Sequence, residues 1–128
     1  MANATEVAIW GTGISRREFL YVDDMATASV FVMNLDKTIY NKNTDFMQSH
    51  INVGFGVDVT IAELATLIAK VTEYQGSICF DPSRPDGAPR KLINSSKLNN
   101  FGWRPRVNLV DGLRLAYQDF MQSSPLSL

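Results

Sequence analysis

Within eight residues, Trp10 to Arg17, this chain sets an indole, a two-glycine turn and two adjacent guanidiniums. An indole offers a flat face on which a base or sugar ring can stack, and an arginine fork matches a phosphate bidentately. Gly11 and Gly13 let the backbone turn with positive φ or approach a ligand without a clashing Cβ. Those parts suit a planar, phosphorylated ligand. They equally describe a β-turn-β hairpin with one surface tryptophan and two solvated arginines, and residue statistics favour that plainer reading.

A second stretch with chemical content is DPSRPDGAPRK, Asp81 to Lys91. Its three prolines and one glycine forbid regular structure, and each proline holds the residue before it extended, so the loop is stiff and has few states to lose on binding. It carries Arg84, Asp86, Arg90 and Lys91. A ligand-facing loop and a proline-rich connection with solvated charges explain it about equally well.

Catalytic sets are missing from the pattern. No G-x-G-x-x-G follows either glycine pair, so the chain shows no dinucleotide-binding βαβ motif. The residues four after Tyr21, Tyr40, Tyr74 and Tyr117 are Met25, Thr44, Ile78 and Met121, which leaves no Tyr-x-x-x-Lys proton-transfer pair. Cys79 sits between Ile78 and Phe80 and reads as a core residue rather than a nucleophile. His50 has no acid beside it and reads as structural or surface. Asp23 and Asp24 fall where a helix N-cap belongs. Catalytic, cofactor-binding and metal-binding residues are therefore each expected to be none.

The elements that must position these stretches can be read in order. Ala4–Trp10 forms a first strand, and Phe19–Val22 is a second whose apolar and aromatic residues favour a pleated surface. A helix after Asp24 is apolar nearly all round and is expected to be buried on most sides. Residues 36–49 read as an exposed loop with a helical turn near Phe46 and Met47. His50–Val53 is a short strand closed by Gly54-Phe55-Gly56. Thr60 and Glu63 form a capping box ahead of apolar positions Ile61, Leu64, Ala65, Ile68 and Val71, a helix stopped by Gly76. Ser77–Phe80 and Lys91–Asn94 are strands, Ser95 or Ser96 caps a short helix ending at Phe101-Gly102, and Asn108 caps the last helix. Residues 123–128 read as a frayed tail. Helices alternating with short strands make a small α/β domain with a mixed sheet, one domain over residues 1–128.

Composition narrows the partners. With 128 residues, 45% hydrophobic and 20% charged, the chain can build one core of ordinary composition. A net charge of −1 gives no general field for nucleic acid, so any anion site must be local. One cysteine excludes an internal disulfide and, with one histidine, a structural zinc site. No apolar run reaches the roughly 20 residues that span a bilayer, and the first ten residues lack a signal-peptide pattern, so a cytoplasmic location with no membrane partner is expected.

The segments WGTGISRREFLYVDDM, SHINVGFGVDVTIAELA, FDPSRPDGAPRKL and FGW, in this order and spacing, resemble the carboxy-terminal substrate domain of the GDP-L-fucose synthases. Those are NADPH-dependent epimerase/reductases of the extended short-chain dehydrogenase/reductase family. The REF-x-x-VDD turn is shared by many nucleotide-sugar enzymes, whereas the PDG-x-PRK loop with the INVG segment points to the fucose synthase branch. The resemblance covers nearly the whole chain. It implies a GDP-sugar ligand and contacts from Trp10, Arg17 and Asp86, with Lys91 of PRK a further candidate. Arg16 lies outside the REF position and is expected to be solvated, and Asn94 stands where the family tends to have Asp.

The same resemblance implies what the matched part does not carry. The family's Gly-rich NADPH loop, its catalytic Tyr and Lys, the Cys and His of epimerisation and the helices of its dimer lie in the other half, and neither Cys79 nor His50 matches those positions. The expectation is thus a truncated or separately encoded substrate-binding half without a Rossmann core, holding GDP-sugars weakly and turning nothing over alone. The alternatives are an interaction or self-associating module and one half of a split enzyme completed by a separate Rossmann half.

Overall fold

The structure, a computed structural model, describes residues 4–123. It is a small α/β arrangement whose strands form two sheets. Strand β1 (Glu6–Trp10) pairs in parallel with β4 (Ser77–Asp81), Glu6 opposite Ser77 and Trp10 opposite Asp81. The second sheet has the order β3-β2-β5 and is mixed: β2 (Arg16–Glu18) runs antiparallel to β3 (Asp58–Thr60) and parallel to β5 (Arg90–Lys91). The mixed sheet expected from sequence is present, beside a separate parallel pair. The turn at residues 11–15 joins β1 to β2 and so connects the two sheets.

Helix α1 spans Val22–Met33, α2 Lys37–Asn43, α3 Ile61–Thr72, α4 Ser96–Asn100 and α5 Leu109–Ser123. The expected capping box is formed: Glu63 N–H donates to Thr60 Oγ1 at 3.1 Å, and Thr60 N–H donates to the Glu63 carboxylate at 2.7 Å. At α5, Asp111 N–H donates to Asn108 Oδ1 at 3.0 Å, the cap expected from Asn108. Ala28, Leu98 and Trp103 are buried together, with Leu20, Phe31, Val32, Ile51 and Val53 packed around them.

Several local expectations give way to tertiary partners. The second strand is Arg16–Glu18, and Phe19–Tyr21 lead straight into α1. His50–Val53 forms no strand; Ile51 and Val53 turn into the core instead, and His50 is exposed. Residues 37–43 are helical, with Asp36 accepting from Thr38 N–H at 2.7 Å, rather than a loop. Helix α3 ends on Glu73, in the left-handed region at φ 54°, and not on Gly76. β5 covers only Arg90–Lys91, shorter than the expected strand. Ser123 closes α5, while the rest of the expected frayed tail, 124–128, lies outside the described residues.

Two further corrections concern α1. Asp24 does not cap its own helix: it is buried, and its carboxylate accepts from Arg106 N–H and Val107 N–H at 3.0 and 2.9 Å, tying α1 to the chain that enters α5. Nor is the helix buried on most sides. Val22, Met25, Val30 and Met33 are all exposed, Met33 at 84%.

Candidate functional site

The parallel register places the carboxyl ends of β1 and β4 side by side, and both unusual stretches begin there. Gly11 N–H donates to Asp81 O at 2.9 Å, continuing the β1–β4 ladder into the W-G-T-G turn. Asp81 then folds the start of the proline-rich loop: Ser83 N–H and Oγ donate to its carboxylate at 3.0 and 2.5 Å, and Arg84 N–H to its carbonyl at 3.2 Å. That fold carries Arg84 back over the indole, with its guanidinium carbon 5.1 Å from the Trp10 ring centroid. Trp10 is 70% exposed, so its remaining surface is open to solvent.

Farther along, the loop is fastened to the turn. Thr12 N–H and Thr12 Oγ1 donate to the two Asp86 carboxylate oxygens at 2.7 and 2.8 Å, and Ser15 Oγ donates to Asp86 O at 3.0 Å. The Thr12 hydroxyl first, and then its backbone N–H, hold the Asp86 carboxyl below the usual carboxylate range. Gly11, at φ +87°, has no room for a Cβ against Asp86. One residue on, a Cβ at Gly87 would lie 3.8 Å from Arg17 Nη2, so the loop backbone runs beside that guanidinium. Arg16 N–H donates to Pro89 O at 2.8 Å and closes the loop onto β2.

The second sheet then sorts its cations by the period of two. On one face Arg16 and Arg90 both bind the carboxylate of Asp58, whose side chain is 4% exposed. Arg16 Nε donates at 2.9 Å, and Arg16 Nη2 donates to the Asp58 carbonyl at 2.9 Å. Arg90 foremost, with Arg16, keeps the Asp58 carboxyl below the usual range. Arg16 is therefore an ion-paired strut rather than a solvated side chain. The next register pair, Arg17 opposite Lys91, falls on the other face. Among the described residues neither Arg17 nor Lys91 is paired with a carboxylate.

Glu18, the acid of REF, has a structural task that its sequence did not disclose. It accepts from Gly56 N–H at 2.5 Å and Ile93 N–H at 3.0 Å, holding the G-F-G turn and the segment after β5 against β2. Asp58 and Thr12 were likewise silent in the sequence. Cys79 lies in β4, half-buried; burial pushes its thiol up, and Glu6 adds to that, the opposite of what an attacking thiolate needs. Among the described residues no cluster of three or more metal-ligating side chains occurs, and no helix is long and apolar enough to cross a membrane.

A dinucleotide does not fit the glycine turns here. Gly11-Thr12-Gly13 leads into a strand, not into a helix whose N-terminus would receive a pyrophosphate, and the first N–H groups of α3 are already taken: Ile61 N–H donates to Ser15 O, Ala62 N–H to Gly13 O and Glu63 N–H to Thr60 Oγ1.

Residues 1–54 match the family model described as the NAD dependent epimerase/dehydratase family. The chain is 51% identical to a GDP-L-fucose synthase of Escherichia coli (strain K12) over 94% of its own length and 38% of that protein. It is 46% identical to a putative GDP-L-fucose synthase 2 of Arabidopsis thaliana, again over 94% of its length and 34% of the relative. Among solved structures, a GDP-6-OMe-4-keto-L-xylo-heptose reductase from C. jejuni superposes with a TM-score of 0.84 at 34% identity, covering 94% of this chain and 35% of that one. The resemblance read from the motifs is borne out, and the chain spans about a third of the length of the relatives it matches.

Proposed function

We propose, from this similarity, that the chain is the substrate-binding portion of a GDP-L-fucose-synthase-like nucleotide-sugar epimerase/reductase. It holds a GDP-sugar between the indole of Trp10 and the Arg17–Lys91 pair, which the loop from Asp81 to Arg90 links. The observation that carries this reading is the sorting of cations across the second sheet. Asp58 engages Arg16 and Arg90 on one face; on the other, Arg17 and Lys91 are adjacent and, among the described residues, neither is paired with a carboxylate, Arg17 Nη1 donating only to the Arg16 carbonyl at 2.7 Å, beside the loop that reaches the exposed indole.

In this arrangement Trp10 supplies the stacking face for a ring, Arg17 a bidentate fork for the diphosphate, and Lys91 a second positive charge. Such a local anion site agrees with a chain whose net charge is only −1. The whole enzyme's epimerisation and reduction need nicotinamide held against the sugar, which NADPH supplies when bound to the relatives' cofactor fold. In this reading the chain alone binds without turnover.

Calorimetric titration of the chain with GDP-mannose and GDP-L-fucose tests the reading. Saturable heat that is lost in W10A and R17A is expected; a folded chain giving no heat at millimolar ligand would end it.

A second reading rests on α1. Val22, Ala26, Val30 and Met33 recur at helical spacing and are exposed, an apolar stripe that no other described element covers. Further polypeptide, either a partner carrying the cofactor fold or a second copy, would cover it. Light scattering decides between a stable monomer, which counts against the second copy, and an assembly that M33D disperses.

A further inference from the structure

In the resemblance Asp86 is a ligand contact, yet in the structure its carboxylate is already engaged: one oxygen takes Thr12 N–H and the other takes the Thr12 hydroxyl. A carboxylate held by two donors from one residue, with a third bond from Ser15 Oγ to its own carbonyl, is a fastening. What it fastens is the loop between Asp81 and Arg90, which lays Arg84 on Trp10 at one end and passes Gly87 beside Arg17 in its middle.

We infer that Thr12 is a positioning residue for the site: its hydroxyl latches Asp86 and so sets the distance between the stacking indole and the phosphate-binding guanidinium. This rests on the GDP-sugar reading above. Three features of the sequence acquire one reason. Thr12 stands between glycines because Gly11 must admit the Asp86 carboxylate, where a Cβ would collide, and Gly13 must admit the Phe80 ring, 2.5 Å from where its Cβ would be. Asp86 follows Pro85, whose ring fixes its own φ and so limits the conformations from which the carboxylate must reach Thr12. Ser15, buried, takes the Asp86 carbonyl and prevents the loop from pivoting about the carboxylate.

The latch separates two roles that simple truncation confuses. Thr12 is exposed, and replacing it by valine keeps its volume and backbone N–H while deleting one charge-assisted bond. Serine restores the hydroxyl without the methyl.

The experiment uses the 128-residue chain as it is. Hydrogen exchange across residues 82–91 is measured without ligand, and GDP-mannose affinity by calorimetry, for wild type, T12V, T12S and D86N. T12V is expected to exchange faster in that segment only and to bind about tenfold more weakly. T12S is expected to stay within about twofold of wild type in both, the rescue that a bulk structural role for Thr12 would not give. D86N, which keeps the shape but loses the charge, should fall between them. Unchanged exchange in T12V, or T12S as weak as T12V, would overturn the latch. D86N weakening binding while leaving exchange untouched would also overturn it, since Asp86 would then be touching the ligand directly. No wild-type binding at all would instead overturn the GDP-sugar reading, and the exchange data would still judge the latch by themselves.

Discussion

Arg16 gives Asp58 two bonds at once, Nε to the carboxylate and Nη2 to the carbonyl, both at 2.9 Å, and so anchors β2 to β3 at a point where only 4% of the acid's side chain meets solvent. Arg90 completes the arrangement from β5. Removing the acid would leave two guanidiniums crowded together without the carboxylate they share, the costly way of breaking a partly buried pair. D58A is therefore expected to lower the denaturant midpoint clearly and to weaken GDP-sugar binding with it, whereas removal of Arg90 alone, itself 59% exposed, should do less. Equilibrium urea unfolding of the two variants measures this, and equal effects would refute it.

The same carboxylates set an acid limit. Asp58, Asp86, Glu63 and Asp36 all have folded pKa values below their ordinary ones, held down by Arg90, Thr12, Thr60 and Thr38 respectively. A depressed carboxylate stabilises the fold above its unfolded pKa and loses that contribution as pH falls through the folded value. Stability should therefore be flat at neutral pH and decline once pH drops below about 4, continuing as it falls further. D58N should shrink the slope. Thermal unfolding followed across that range would show either this decline or, against it, none.

Core packing is concentrated in few side chains. Leu98 is wholly buried in the short α4, against Ala28 and Trp103. L98A is expected to cost about 2–5 kcal/mol through lost burial and an unfilled cavity. Denaturant unfolding at constant slope would establish it, and a loss within the range of a surface change would mean that the site collapses to fill the space.

How much of this was legible in sequence depends on whether the deciding partner was near. The Thr60–Glu63 box and the Asn108 cap were readable because donor and acceptor lie three residues apart and the helix supplies the geometry. Asp24 obeyed no such rule: it sits in a first turn, yet its carboxylate serves backbone N–H groups 82 and 83 residues away. β2 is not legible because Arg16, Arg17 and Glu18 show no apolar alternation; their pairing rests on Asp58 and on backbone partners 40 to 44 residues on. The opposite holds at His50–Val53, where an apolar rhythm exists but no strand among the described residues pairs with it. Trp10, Arg17 and the proline-rich loop stood out by composition. Thr12 did not, since a threonine gains its meaning only when Asp86 is brought opposite.

Trp10 offers the most direct readout of the site. It is 70% exposed with Arg84 stacked on it, whereas Trp103 is 7% exposed and its indole N–H donates to Thr27 Oγ1 at 3.4 Å. Fluorescence of the chain should thus contain one quenchable and one protected component. R84A removes a cation from the indole at a cost of roughly 0.5–1 kcal/mol at such an exposed place, too little to unfold anything, but it should change quenching of the accessible component by iodide, an anion that the guanidinium attracts. A GDP-sugar stacked on the ring would protect that component in wild type and leave W10F, whose remaining tryptophan is buried, without response. Protection in the W10F variant equal to that in wild type would place the ligand elsewhere. Loss of protection in R17A with the free-state quenching unchanged would show the guanidinium holding the ligand, not shaping the indole's surroundings.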